Sequence, residues 1–128
     1  DVDFSRFADK FDMIFTSPPF YILERYTHES NQSWQRYKVL QHWLEGFLFS
    51  TLRSITPTLK KNGILAINIS DMYCNHTINK VCDNMNNYIK SLGYTYVGGY
   101  GIKMAKRPNS KAVGHGIFCE PLWVWKSC

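Results

Sequence analysis

The chain has 128 residues, 45% of them hydrophobic and 16% aromatic, which suits one small ordered domain and argues against a disordered segment. Its net charge of +5 is uneven: residues 1–45 carry seven acids and five bases, whereas residues 101–128 carry five bases and one acid. The basic end fits an anionic partner such as nucleic acid, and no window approaches the run of about 18 apolar residues that a membrane span needs.

The opening Asp1-Val2-Asp3-Phe4 is neither a basic nor an apolar leader, and the residues to Lys10 read as a loop or one helical turn. Phe11-Asp12-Met13-Ile14-Phe15 is then a short buried strand, with Asp12 suited to hydrogen bonding at its start. The strand runs into Thr16-Ser17-Pro18-Pro19-Phe20-Tyr21. Two prolines cannot continue a sheet ladder, and they fix the backbone that follows. The corner is either a structural turn or a rigid site at the carboxyl end of an α/β strand, where open sheets bind ligands. As a site it offers a hydroxyl, exposed carbonyls and aromatic rings. The carbonyl of Pro18 and the Ser17 oxygen are acceptors matched to the N–H donors of a planar amine.

Ser17-Pro18-Pro19-Phe20 resembles the signature of the amino-methyltransferases that use S-adenosylmethionine (SAM) to methylate exocyclic nitrogens in DNA, in the form common in the N4-cytosine branch. The resemblance implies that Ser17 and the Pro18 carbonyl hold the target amine, that Pro19 rigidifies the corner and that Phe20 stacks on a flipped base. It implies SAM as cofactor and DNA as partner, with RNA possible. It also places a strand-end acid, Asp1 or Asp3, near the adenine amine of SAM; a solvent-facing acid is the alternative. Adenine N6 is the second target, and a non-catalytic nucleic-acid-binding or assembly subunit is the reading from another class.

Tyr21 and the polar loop to Ser33 lie over that corner as a lid or a contact to the substrate. From Trp34 to Ile55 the apolar positions Tyr37, Leu40, Leu44, Phe47, Leu48 and Leu52 follow a helical period, which Pro57 ends. Trp34, Trp43 and the phenylalanines read as packing residues. Lys60-Lys61-Asn62-Gly63 is a turn, and Ile64 to Ile69 a nearly continuous apolar strand of the parallel, doubly covered kind. Strand, helix, turn and strand make a crossover unit, so Ser70 and Asp71 should emerge on the same sheet edge as Ser17. Asp71 is therefore a substrate-site candidate, with helix capping or a loop hydrogen bond as the alternative.

A second helix is expected from Thr77 to Ser91, ended by Gly93. Tyr94 to Val97 starts a strand, Gly98-Gly99-Tyr100-Gly101 allows a bend or bulge, and Ile102 to Met104 resumes it. A basic connection carrying Lys106, Arg107 and Lys111 follows; these side chains are placed to contact phosphates. Ile117 to Lys126 is the last strand, and it resembles the strand that closes the sheet in these enzymes. Cys74, Cys82, Cys119 and Cys128 have no disulfide spacing, and Cys74, His76 and Cys82 match no common zinc signature, so no metal is expected. Cysteine use points to a reducing compartment, cytoplasmic or, in a eukaryote, nuclear.

The expected fold class is thus α/β. Strand, helix, strand and helix, then a closing antiparallel strand pair, make half of a doubly wound class I SAM-dependent methyltransferase sheet over residues 1–128. The Gly-rich SAM turn that the resemblance calls for has no counterpart in the sequence. The SAM-binding half is expected elsewhere in the full chain or in a second subunit. A sheet halved this way exposes the edge of a central strand.

Overall fold

A computed structural model describes residues 2–19, 39–74, 77–103 and 119–128, with the side chains of 72–74 and 77 left aside. Four strands form the main sheet in the order β1-β2-β6-β5: β1 is Phe11–Thr16, β2 Leu59–Asn68, β5 Thr95–Lys103 and β6 Cys119–Lys126. β1 and β2 run parallel, while β6 is antiparallel to both of its neighbours. A two-stranded hairpin, β3 (Met72–Cys74) and β4 (Thr77–Asn79), stands apart from this sheet. The fold is α/β with a mixed sheet, as the order of elements implied.

The connection from β1 to β2 contains one helical rod of changing pitch. It comprises α1 (Leu40–Trp43), a π-helical segment (Leu44–Phe49), α2 (Ser50–Ile55) and a 3-10 turn (Thr56–Thr58). Leu44, Leu48 and Leu52 recur every fourth residue and all are buried. Pro57 sits in the closing turn, where its missing N–H costs little, and β2 begins directly after it. The second helix, α3, spans Cys82–Ser91, and Gly93 follows it with φ +94°.

Both helices cover the same face of the sheet. Leu65 and Ile67 of β2 pair with Trp125 and Trp123 of β6, and these side chains share one core with Trp43, Leu44, Leu48, Leu52, Val81, Met85 and Ile89. Alternation sends Phe11, Met13 and Phe15 to the other side, where each is 43–57% exposed. Among the described strands β1 pairs only with β2. Phe11–Phe15 is thus not the buried strand expected: β1 ends the sheet among the described strands, and its outward side chains stay exposed. The edge away from β2 is unpaired among those strands, as a halved sheet implies.

Three expectations about element limits need correction. The helix expected from Thr77 starts at Cys82 instead, because Thr77–Asn79 is drawn into pairing with Met72–Cys74. β5 is one strand through its glycines rather than two pieces, because β6 pairs along its length, and the bulge expected there falls between Tyr96 and Gly98. The Lys60–Gly63 turn lies inside β2: Phe11 faces Leu59 but Met13 faces Ile64, so the turn bulges out between two paired stretches. Asp12 and Lys60 form an exposed ion pair beside it at 3.1 Å, the strand-start role expected for Asp12.

This turn carries a test. Asn62 has φ +64°, and a Cβ on Gly63 would lie 2.8 Å from the Lys60 carbonyl oxygen and 3.3 Å from that of Asp12. Both neighbours are backbone and cannot swing away. Gly63→Ala is expected to cost about 1–3 kcal/mol, as overpacking does. Urea unfolding measures it, and a change within experimental error would show that the turn is not held this tightly.

Candidate functional site

Parallel neighbours end at the same edge of a sheet. The register Thr16↔Ile67 sets the residues that follow, Ser17 and Asn68, side by side. The Ser17 hydroxyl donates to Asn68 Oδ1 at 3.2 Å, and Asn68 Nδ2 donates to the carbonyl of Pro121 at 2.9 Å. Ser17 is exposed and Asn68 only 6% exposed, so the chain of bonds runs inward from solvent to the end of β6. Pro18 is buried and Pro19 half-buried, which anchors the corner. A recess of about 120 Å³ opens between Thr16–Pro19 and the helical rod, with Phe47, Leu48 and Thr51 on its far wall. Phe47 and Leu48 belong to the π-helical segment, a geometry found often at functional sites.

The sequence alone does not assign Asn68 a role, although it carries a signal: Asn68 is the lone polar residue in the apolar run from Ile64 to Ile69. A buried side-chain amide in such a run needs partners, and here it has two.

Asp71 follows β2 on the same edge, and its Oδ1 accepts the backbone N–H groups of Val81 and Cys82, both at 2.8 Å. This is helix capping across the β3–β4 hairpin, the alternative weighed for Asp71, and it explains why α3 begins where it does. The Cys82 thiol donates to the Ile69 carbonyl at 3.6 Å, which also accepts the Trp123 indole N–H at 2.8 Å. Burial, then the charge of Asp71, push that thiol up to about 12, so it stays protonated and is no nucleophile.

Asp3 lies apart from this corner. Its Oδ1 accepts the Ser5 N–H at 2.9 Å, starting the 3-10 turn Ser5–Phe7, and hydrogen bonds from the Ser5 backbone and side chain lower its pKa. It lines a separate recess of about 270 Å³ with Ser54 and Pro57. The described glycines build no phosphate- or nucleoside-binding turn: Gly46 lies in the π-helical segment, Gly63 in the β2 turn, Gly93 after α3 and Gly98, Gly99 and Gly101 in β5. The described residues therefore do not by themselves fit SAM. Asp1, Phe20, Tyr21, Lys106, Arg107 and Lys111 lie outside the described residues. Among the described residues no group of three acidic, His or Cys side chains is placed to hold a metal, and no helix is long and apolar enough to cross a membrane.

Comparison with known proteins bears on this geometry. The family model for N6 and N4 methyltransferases, described as DNA methylase, matches residues 11–112. No curated protein sequence matches. A protein of Thermus thermophilus described as a DNA modification methylase, solved with S-adenosyl-L-methionine, is 14% identical and superposes with a TM-score of 0.63. That alignment covers 94% of this chain and 48% of the Thermus chain. Two further structures of the same protein, one a selenomethionine derivative, give TM-scores of 0.64 and 0.62 at 15% and 16% identity. They too cover 94% of this chain, and 46% and 47% of the other. The chain spans about half the length of these solved structures.

Proposed function

The chain belongs to the DNA methylase family, and from that premise we propose that it forms the target-base half of a SAM-dependent DNA amino-methyltransferase. Cytosine N4 is the first target to test and adenine N6 the second. The observation that carries this reading is the placement of Ser17-Pro18-Pro19 at the carboxyl end of parallel strand β1, inside the matched segment. The sheet is then half of the doubly wound class I arrangement. The remainder, in the same polypeptide or a second subunit, pairs with the edge of β1 that the described strands leave unpaired and holds the methyl donor.

SAM, when bound by the complete domain, supplies an electrophilic methyl group. The residues of this chain act on the other reactant. An amine inside a duplex cannot be reached, so the base must leave the stack and enter the corner. There the Ser17 oxygen and the Pro18 carbonyl accept the two N–H bonds of the exocyclic amine, and this turns its lone pair out of the base plane. Phe20 stacks on the ring, and Tyr21 with the loop after it closes the site. Fixing the amine is worth far more than adding a strong base, because orientation of reacting groups removes much of the barrier. Lys106, Arg107 and Lys111 take the phosphates and so position the duplex. Asp71 acts at one remove, capping α3 at the edge where β2 ends.

The test is incubation of the full-length protein, with any partner subunit, with SAM and duplex DNA, followed by mass spectrometry of the nucleosides. N4-methylcytosine is the expected product. N6-methyladenine would keep the mechanism and change the base. DNA without methylated amines under conditions of tight SAM binding would overturn the reading.

A further inference from the structure

We infer that Asn68 is a positioning residue that sets the hydrogen-bond polarity of Ser17, making the Ser17 oxygen an acceptor toward an amino base and a poor partner for a keto base. The inference rests on the proposed function, and it assigns a device that the Ser-Pro-Pro-Phe motif does not contain.

The bonding capacity of each group fixes the direction of the relay. The carbonyl of Pro121 can only accept, so the amide atom facing it at 2.9 Å is the NH₂ of Asn68. That fixes the flip of the side chain and leaves Oδ1 facing Ser17 at 3.2 Å. Oδ1 can only accept, so the hydroxyl proton of Ser17 points inward. The lone pairs of Ser17 are left facing the pocket. An exocyclic NH₂ meets them as a donor, whereas the carbonyl of a keto base brings a second acceptor against them. A free serine hydroxyl would rotate to suit either partner. Burial protects the inner end of the arrangement, because Asn68 is 6% exposed and water cannot readily replace its bond to the Pro121 carbonyl.

The end of the relay is also built in. Asn68↔Leu122 is the last pair of the β2–β6 ladder, so the Pro121 carbonyl lies just past it. Nitrogen and carbonyl of a strand residue point the same way, so the missing N–H of Pro121 also faces the end of β2, where the Ile69 carbonyl accepts the Trp123 indole N–H at 2.8 Å instead. Proline at this place supplies an acceptor without a competing donor.

The experiment measures binding of the full-length enzyme to duplexes with the target amino base or its deaminated counterpart: cytosine against uracil, or adenine against hypoxanthine. The unsubstituted enzyme is expected to favour the amino base by about tenfold, the worth of one hydrogen bond gained against one repelled. Asn68→Ala frees the Ser17 hydroxyl and should bring the ratio close to one. Asn68→Asp keeps an acceptor for Ser17 and should keep the preference, although its carboxylate repels the Pro121 carbonyl and lowers the thermal midpoint. In a Ser17→Ala background, Asn68→Ala should change the ratio no further. A preference unchanged in Asn68→Ala, or lost equally in folded Asn68→Asp, overturns the inference. Methylated product from the unsubstituted enzyme together with an unchanged ratio in Asn68→Ala would reject the relay while leaving the proposed function standing. Absence of any methylated base would remove both.

Discussion

Ser17→Ala is expected to cut single-turnover methyl transfer by about a hundredfold while SAM affinity and the fold are kept. The substitution deletes one of two acceptors that align the amine, and misplacement of a reacting group by about 1 Å costs on this order. Ser17 is exposed and follows the last residue of β1, so its loss opens no cavity. The structural cost is confined to Asn68 Oδ1, which loses its donor; one unmade hydrogen bond costs about 1 kcal/mol, and water can reach from the Ser17 side. The effect should fall on the rate constant at saturating DNA, because the acceptor matters most where the lone pair is turned toward the methyl group. Quench-flow assays of the full-length protein would measure it, with thermal melting as the control for fold. A rate within threefold of the unsubstituted enzyme would show that the Pro18 carbonyl and ring stacking suffice, and the role given to Ser17 would fall.

The elements that carry this site were readable in the sequence because each rests on a local pattern. Phe11–Phe15 had to be a strand and Pro18-Pro19 had to end it; the structure puts the end at Thr16. The apolar period running up to Pro57 marked the helical rod over its described part, Leu40 to Ile55, although nothing local announced that Leu44–Phe49 would be π-helical. Parallel pairing of β1 with β2 followed from the intervening helix and brought the two strand ends together as expected. Asn68 is harder to read, because an amide shows its use only when its partners are known, and one of them, Pro121, lies 53 positions away. The limits of α3 were misplaced for a similar reason. Thr77–Asn79 continues a helical pattern by sequence alone, and what stops it is pairing with Met72–Cys74 and a cap from Asp71, ten residues before the Val81 N–H it accepts. A partner far along the chain thus hid the use of Asn68, and a local hairpin with its cap shortened α3, whereas apolar periodicity located the core.

The second large effect belongs to Trp125, which ties that core to the site. It is fully buried on β6, its indole N–H donates to Asn86 Oδ1 at 2.9 Å, and its ring meets that of Tyr96 at 6.0 Å and 59°. Opposite it on β2 stands Leu65, also fully buried. Trp125→Ala would open a large cavity between β6 and α3 and leave the Asn86 amide without its donor. The expected loss is about 3–5 kcal/mol, a large share of the roughly 5–15 kcal/mol typical of a domain. For a domain of this size that corresponds to a melting temperature lower by on the order of 10–20 °C. Trp125→Phe keeps much of the ring volume and should lose less than half as much. Pro121 lies four residues back on the same strand, so loosening β6 also releases the carbonyl that orients Asn68. Trp125→Ala enzyme held well below its melting temperature should therefore lose part of its preference for the amino base, whereas Gly63→Ala, which strains a turn at the far end of β2, should not. Calorimetry and the paired-base binding assay read the two effects separately. If both substitutions lowered the preference in proportion to stability, the coupling through β6 would be excluded, and general softening of the domain would explain the loss.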